Sequence, residues 1–340
     1  MKYRQLADTG VFVSELCLGS MTFGGVGQMW EVIGGLDQKA VDSIVHRALD
    51  GGINFVDTAD VYSGGESEVM VGKALGGRRH DVVLATKVRG RMGKGPNQVG
   101  LSRLHIVEAG EASLGRLATD YIDLYQIHRF DPLTAVDDTL RALDDLVRAG
   151  KVRYVGCSNL AAWQLMKALA VSREQRLERF KCTQSYYSLA GRELEREMIP
   201  LLADQGLGLL VWSPLAGGFL SGKFTREGGD EGARRAKFDF PPVNKEKGFA
   251  ILDVLTTVAQ THNATVPQVA LAWVLANPAV TSVIIGARKI AQLEDNLKSV
   301  DLTLAADDLK ALDEASKLPV EYPAWMDSLG SDRRPGESRF

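Results

Sequence analysis

Eight short apolar runs, separated by segments with helical spacing, constrain the fold of this 340-residue chain most strongly. The runs are rich in Val, Ile and Leu without polar alternation, which indicates strands buried on both faces. Strands of this kind that alternate with helices pair in parallel. Eight such units predict an α/β fold, a single-domain (β/α)8 TIM barrel. The runs read LCLGS, NFVDT, VVLATKV, YIDLYQIH, VRYVGCS, KCTQSYYS, LGLLVWS and SVIIGA.

The segments between these runs carry apolar residues at the spacing of an amphipathic helix. A short hairpin, YRQLADTGVFVSEL, is expected before the first strand, and residues 221–247 are expected to form a lid after the seventh strand. Residues 1–330 would form the barrel, and residues 331–340 would form a disordered tail. The predicted helices cover residues 40–49, 69–75, 104–117, 140–146, 165–170, 194–202, 251–259 and 290–297.

A doubly wound open sheet also alternates strands with helices and is the competing architecture. Its dinucleotide fingerprint is missing, because GGVGQMW at residues 24–30 lacks the third glycine. The segment GRMGKG at residues 90–95 fits neither the dinucleotide spacing nor the P-loop spacing. The barrel is therefore the favoured fold.

Charge and cysteine content argue against several classes of function. Forty basic and 43 acidic side chains give a net charge of −3, so no global attraction to nucleic acid or to a membrane surface is expected. Cys17, Cys157 and Cys182 lie far apart in apolar runs and are expected to be reduced core residues. The N-terminus has no apolar stretch long enough for a signal peptide, so a cytoplasmic location is expected.

An uncharged segment at residues 263–287 has the length of a membrane span. Two prolines and scattered polar side chains argue against that interpretation. A core helix that ends at Asn277-Pro278, followed by the buried strand SVIIG, explains the segment better.

Polar residues follow most of the predicted strands. In a barrel of this kind the functional site is built at the carboxyl ends of the strands and in the loops that follow them. The residues at these strand ends are therefore the candidate site residues. The residues at or just after these ends are Asp57, Tyr62, Lys87, His128, Ser158, Asn159, Gln184, Trp212, Ser213 and Arg288.

Three of these residues suggest acid catalysis. Asp57 and Lys87 end neighbouring strands, which lie about 4.8 Å apart, so their charges can pair. A desolvated lysine beside a tyrosine hydroxyl favours the phenolate, so the pKa of Tyr62 is expected to fall from about 10 toward the range of efficient acid catalysis. Asp57 would keep Lys87 charged, and His128 would orient the substrate oxygen. Each residue alone has an ordinary structural explanation, such as helix capping by Asp57.

Six segments occur in a specific order: GINFVDTADVY, LATKV, YIDLYQIHRFDP, YVGCSN, TQSYYSL and WSPLAGGFLSGK. With these segments nearly the whole chain resembles the aldo-keto reductase family, in the branch similar to potassium-channel beta subunits and bacterial general aldo-keto reductases. The resemblance implies a (β/α)8 barrel that binds NADP(H) without a Rossmann domain. It also implies an oxidoreductase that reduces aldehydes or ketones by direct hydride transfer.

The resemblance also implies a role for each matching position. Asp57, Tyr62, Lys87 and His128 would be the catalytic residues, with Tyr62 as the proton donor. The residues implied to bind NADPH are Ser158, Asn159, Gln184, Trp212, Ser213, Leu215, Gly217, Lys223, Gly286, Arg288, Gln292 and Asn296.

Within the implied cofactor site, Ser158, Asn159 and Gln184 would hold the nicotinamide carboxamide, and Trp212 would stack on the ring where many relatives have tyrosine. Better-known members of the family have a lysine near the position of Gly286. Selectivity for the 2′-phosphate of NADPH would then depend on Arg288.

An apolar pocket for a small carbonyl substrate is expected from Phe23, Trp30 and Tyr62. No metal site is expected, because His and Cys are never clustered at ligand spacing. Two other functions stay open. Lys87 could form a Schiff base in a lyase, or the chain could be a nucleotide-binding regulatory subunit with slow turnover.

Overall fold

Eight parallel strands close a barrel in the computed structural model, which describes residues 1–25, 27–226, 228–229, 235 and 238–326. An antiparallel hairpin of β1 (Tyr3–Gln5) and β2 (Phe12–Ser14) precedes the barrel. The remaining strands are β3 (Leu16–Gly19), β4 (Phe55–Asp57), β5 (Val83–Val88), β6 (Ile122–Ile127), β7 (Val152–Ser158), β8 (Cys182–Tyr186), β9 (Gly208–Trp212), β10 (Phe224–Thr225), β11 (Gly228–Gly229) and β12 (Val280–Ile285).

The barrel strands β3 to β9 follow the chain order, and β12 closes the barrel between β9 and β3. At the closure, Val283 of β12 pairs with Leu16 on one side and with Val211 on the other. The predicted (β/α)8 barrel, its eight strands and the N-terminal hairpin are confirmed. Because all eight strands are parallel, their carboxyl ends lie at the same end of the barrel.

Helices cover the outside of the barrel, and most of them contain a predicted segment. They are α1 (Gln28–Ile33), α2 (Gln38–Asp50), α3 (Glu66–Leu75), α4 (Arg103–Leu117), α5 (Val136–Arg148), α6 (Ala162–Gln175), α7 (Met198–Gln205), α8 (Lys245–Thr261), α9 (Val266–Ala276), α10 (Ile290–Leu297) and α11 (Ala306–Ser316). Neither α1 nor α11 was predicted, and the β10–β11 hairpin was not predicted either.

The predicted helix at residues 194–202 is only partly correct. A 3-10 turn at Glu193–Glu195 comes first, and α7 begins at Met198. Pro200 lies in the first turn of α7, where its missing N–H removes no intrahelical hydrogen bond. A helix that began at residue 194 would place this proline in its interior, which explains the later start.

The uncharged segment at residues 263–287 forms α9 and β12, as predicted. In the part of the chain that the structure describes, no helix has both the length and the apolar character needed to cross a membrane. Of the predicted lid, residues 227, 230–234 and 236–237 lie outside the described residues. The predicted tail at 331–340 also lies outside them.

The N-terminal hairpin closes the amino end of the barrel. Leu6 and Val13 are fully buried and pack against barrel residues such as Cys17 and Phe55. The guanidinium of Arg4 donates hydrogen bonds to the carbonyl oxygens of Leu275 and Val280 and pairs with Glu15. The open end is therefore the carboxyl end. Cys17, Cys157 and Cys182 are all buried free thiols, which confirms that prediction.

The larger core lies between the barrel strands and the helices. Helix α5 illustrates how it forms, because Leu140, Leu143 and Leu146 recur at helical spacing and all three are buried. Full burial of one such side chain stabilises the fold by about 1.5–3 kcal/mol. This packing holds the strand ends in fixed positions around the open mouth.

A buried polar cluster lies beside the loop that joins β4 to α3. Glu68 is fully buried and accepts hydrogen bonds from Thr86 at 2.5 Å, from Arg116 at 2.6 Å and from Ser113 at 3.3 Å. Asp60 is also fully buried, but neither of its carboxylate oxygens completes a hydrogen bond with the described residues. Burial raises the pKa of Asp60 to about 7, and the nearby charge of Glu68 adds to this rise.

We predict that Asp60→Asn stabilises the protein in a pH-dependent way. The pKa of Asp60 is higher in the folded state, so protonation of Asp60 stabilises the fold. This stabilisation is complete below the ordinary pKa of 3.8 and is lost as the pH rises through about 7. The asparagine variant does not ionise. Its gain in unfolding free energy over the wild type should be roughly 3 kcal/mol larger at pH 8 than at pH 4.5.

Denaturant titrations at the two pH values measure this difference. Asp120→Asn is the matched control, because Asp120 is an exposed carboxylate. An Asp60→Asn variant whose gain does not change with pH would contradict the prediction.

Candidate active site

Lys87 lies at the centre of the strand-end site and is fully buried. Its Nζ donates to Asp57 Oδ1 at 2.5 Å, to the carbonyl oxygen of Thr58 at 2.8 Å and to the Tyr62 hydroxyl at 3.3 Å. Asp57 ends β4 and Lys87 lies near the end of the adjacent β5, so the barrel brings the two together as expected. Each ammonium proton has an acceptor.

Two opposing effects act on the charge of Lys87. Burial disfavours the ammonium ion, but the Asp57 carboxylate and the Tyr62 hydroxyl outweigh that effect and raise the pKa of Lys87. Lys87 is therefore a charged group at neutral pH, although it is itself fully buried.

Tyr62 differs from the sequence-based expectation. Burial raises the pKa of Tyr62 above its ordinary value, and the charge of Lys87 offsets only part of that rise. The expected net decrease is wrong, because desolvation of the phenolate outweighs the attraction of the ammonium ion. Tyr62 is consequently a protonated phenol at neutral pH, which is the form that can donate a proton.

Two aromatic side chains pack edge to face against Tyr62. The ring of His128 lies 5.8 Å from it and the ring of Trp30 lies 5.6 Å from it, between centroids. Burial lowers the pKa of His128 to about 3, and the charges of Lys87, Arg89 and Arg129 contribute to the decrease. His128 is therefore a neutral imidazole, which can donate a hydrogen bond without carrying charge.

The second oxygen of Asp57 has two partners. Gln184 Nε2 donates to Asp57 Oδ2 at 2.8 Å, and Gln126 Nε2 donates to the same atom at 3.0 Å. Gln184 is expected to hold the carboxamide of a nicotinamide; in the structure its amide donates to Asp57. Gln126 was not predicted. Its only signal is a polar residue within the apolar strand LYQIH.

The residues expected to hold a nicotinamide group form a connected set at the mouth. Asn159 donates to Ser158 Oγ at 2.8 Å and to the carbonyl oxygen of His128 at 3.1 Å, and its Oδ1 accepts from Trp212 Nε1 at 3.0 Å. Trp212 packs between Tyr186, with ring centroids 5.2 Å apart, and Phe240, at 5.7 Å. The exposed amide of Asn159 beside an indole ring suits a planar aromatic amide.

The segment after β9 forms a tight turn. The Gly217 N–H donates to Ser213 Oγ at 2.8 Å, and both residues have positive φ. Leu215 is half-buried in this turn, and Lys223 is exposed beyond it. Backbone turns of this kind, with a cation nearby, are compatible with phosphate groups.

Of the residues expected at the adenosine end, Gly286, Arg288 and Gln292 lie at the N-terminus of α10, whereas Asn296 lies in its last turn. Arg288 donates hydrogen bonds to the carbonyl oxygens of Val32 at 2.7 Å and Ile33 at 2.5 Å, and its backbone N–H donates to Gln292 Oε1. These contacts use one terminal nitrogen of the guanidinium. Gly286 is exposed, whereas Asn296 is buried within α10. A helix N-terminus beside a guanidinium favours an anionic ligand.

Of the residues expected to line the substrate pocket, Trp30 and Tyr62 lie together at the mouth. Phe23 does not, which corrects the prediction. It is fully buried in the main core, and its carbonyl oxygen accepts a hydrogen bond from Ser63. An aromatic residue in a loop gives the same sequence signal in either position.

Comparisons with known proteins identify the family of this chain. The chain matches the model of the Aldo/keto reductase family over residues 15–317. It is 41% identical over 326 residues to the uncharacterized oxidoreductase YrpG of Bacillus subtilis, which covers 92% of this chain and 95% of that protein.

Two further relatives have more specific descriptions. Identity is 37% over 313 residues to a probable voltage-gated potassium channel subunit beta of Arabidopsis thaliana, covering 89% of this chain and 92% of that protein. The identity to versiconal hemiacetal acetate reductase of Aspergillus parasiticus is 36% over 343 residues, covering 92% of this chain and 96% of that protein. The resemblance drawn from the six motifs is thus confirmed, and the chain belongs to the aldo/keto reductase family.

Proposed function

We propose that this protein is an NADPH-dependent oxidoreductase that reduces aldehydes or ketones to alcohols by direct hydride transfer. Membership of the aldo/keto reductase family and its oxidoreductase relatives support carbonyl reduction in general. The observation that carries the finer proposal is the hydrogen-bonded chain Asp57–Lys87–Tyr62 at the open end of the barrel, beside a neutral His128.

Tyr62 acts as the general acid in this proposal. Its hydroxyl donates a proton to the carbonyl oxygen of the substrate, and Lys87 stabilises the resulting phenolate from 3.3 Å. Asp57 keeps Lys87 charged throughout, since a buried ammonium ion without a counter-charge would lose its proton. His128 donates a hydrogen bond to the same substrate oxygen and orients it.

NADPH would supply the hydride when bound. Ser158, Asn159 and Gln184 would hold its carboxamide, and Trp212 would cover one face of its ring. The phosphates would lie along Ser213, Leu215, Gly217 and Lys223. Arg288 would contact the 2′-phosphate, with Gly286, Gln292 and Asn296 around the adenosine.

A small-molecule carbonyl compound would be the partner, rather than nucleic acid or a membrane, and we infer a cytoplasmic location. The net charge of −3 supports this proposal, because it provides no global attraction to phosphate backbones or anionic lipid.

A nucleotide-binding regulatory subunit with slow turnover is the second candidate, and the similarity to the Arabidopsis channel subunit favours it. A Schiff-base lyase is disfavoured, because Lys87 is held as a charged ammonium with three acceptors and a Schiff base needs the neutral amine. Tight NADPH binding with negligible reduction of reactive aldehydes would support the regulatory function instead.

We predict that Tyr62→Phe lowers kcat for 4-nitrobenzaldehyde by about 10²- to 10⁴-fold, because the general acid is lost. The measurement follows the loss of NADPH absorbance. Fluorescence titration should show that the variant still binds NADPH. Tyr121→Phe is the control, because Tyr121 precedes β6 at the opposite end of the barrel. Unchanged turnover by the Tyr62 variant would refute the assigned acid.

We also predict that Arg288→Gln raises KM for NADPH by roughly 10- to 100-fold, because a charge-assisted hydrogen bond to phosphate contributes about 1.5–3 kcal/mol. KM for NADH, which has no 2′-phosphate, should change little. Parallel kinetics with the two cofactors measure the difference. An equal rise in KM for NADPH and for NADH would instead assign Arg288 a structural role, through its hydrogen bonds to the carbonyl oxygens of Val32 and Ile33.

A further inference from the structure

Two arginines lie at the mouth of the barrel beside the catalytic group. Arg129 directly follows His128, and Arg89 follows Lys87 by two positions in the loop after β5. Arg129 is exposed and Arg89 is half-buried. Arg89 Nε donates to the carbonyl oxygen of Phe130 at 3.1 Å, which links the two loops.

The backbone of Arg89 adopts an unusual conformation. Its φ is 135°, in the region that favours glycine. An L-amino acid with a long side chain is strained there, and such strain is concentrated at functional sites. The Arg89 carbonyl oxygen accepts a hydrogen bond from the Gly100 N–H at 3.1 Å, which helps to hold this conformation. Arginine thus occupies a position where glycine would fit without strain.

Neither guanidinium has a carboxylate partner in an ion pair among the described residues. Asp131 is close enough to act on Arg89, but its oxygens already accept hydrogen bonds from Leu101, Leu133 and Thr134. Burial lowers the pKa of Arg89, and the like charge of Arg129 lowers it further. The two cations therefore repel each other and have unused N–H donors.

Two partly buried arginines elsewhere in the chain show the usual neutralisation by carboxylates. Arg116 pairs with Glu68 at 2.6 Å, and Arg192 pairs with both Glu195 and Asp313. Arg179 and Arg288 also lack a carboxylate partner among the described residues, but Arg89 and Arg129 are the arginines whose charges act on His128. A pair of guanidinium groups with free donors matches the planar oxygens of a carboxylate or the oxygens of a phosphate.

We propose that Arg89 and Arg129 form an anion-binding subsite for the substrate, so that the enzyme acts on aldehydes or ketones that carry a negatively charged group. This inference rests on the proposed carbonyl reduction. The anion would lie beside His128, and the carbonyl oxygen would lie between His128 and Tyr62. A carboxylate and a phosphate ester share this chemistry.

The test uses three benzaldehydes that differ only in the para substituent. They are 4-carboxybenzaldehyde, 4-formylphenyl phosphate and the neutral methyl 4-formylbenzoate. For the wild type, KM for at least one anionic substrate should be about tenfold lower than KM for the ester, which corresponds to one charge-assisted contact. The more strongly preferred anion identifies the group that the subsite binds.

Arg129→Gln should raise KM for the anionic substrate by about tenfold or more and leave KM for the ester and for NADPH nearly unchanged. Arg129→Lys should retain much of the preference, because it keeps the charge. Arg89→Gln should act in the same direction. The matched control is Arg173→Gln, which changes the net charge equally in the last turn of α6.

Each outcome separates the two proposals. Equal KM values for the ester and the anionic substrates would overturn the subsite. A preference for the anionic substrate that survives in Arg129→Gln would overturn it too. A rise in KM for NADPH in the Arg129 variant would assign this arginine to the cofactor and also overturn it. No turnover of any of the three aldehydes would contradict carbonyl reduction itself, and the subsite with it.

Discussion

The buried ammonium ion of Lys87 is the interaction on which the rest of the site depends. An isolated charge in the interior would cost several kcal/mol, so it persists only because Asp57, the Thr58 carbonyl and Tyr62 each accept one of its protons. Removal of one partner of such a buried pair typically costs about 3–5 kcal/mol. Gln126 and Gln184 then occupy the second oxygen of Asp57, so the anion is held in place as well.

The charge of Lys87 shifts the pKa values of its neighbours, but burial has the larger effect on each of them. At Tyr62 the desolvation of the phenolate outweighs the pull of Lys87, and the pKa rises. At His128 burial and the neighbouring cations act in the same direction, and the pKa falls to about 3. The resting site thus has one charged pair and two neutral donors. A carbonyl oxygen that gains negative charge would meet donors that need no reorganisation.

The sequence predicts the parts of this arrangement that depend on periodicity and topology. Apolar runs specify the strands, and a parallel barrel then forces Asp57, Lys87 and His128 to one end, although they are distant in the chain. The sequence does not predict the role of Gln126. Its hydrogen bond to Asp57 joins residues 69 positions apart, through a side chain in the middle of a strand. The predicted position of Phe23 in the substrate pocket and the predicted decrease in the pKa of Tyr62 are wrong for the same reason. Both depend on the degree of burial, and burial is a property of the packed structure.

The net charge of the whole chain does not describe the charges around His128. The net charge is −3, yet the hairpin closes the amino end and leaves Lys87, Arg89 and Arg129 near the only open end of the barrel interior that the described residues form. Asp57 neutralises Lys87, so Arg89 and Arg129 are the cations near His128 that have no ion-pair partner among the described residues. Low-dielectric walls focus the field of such cations, and a local positive potential can attract anions to a protein that is acidic overall. The proposed selectivity for an anionic ligand would therefore follow from the position of two side chains, and the overall composition of the chain does not reveal it.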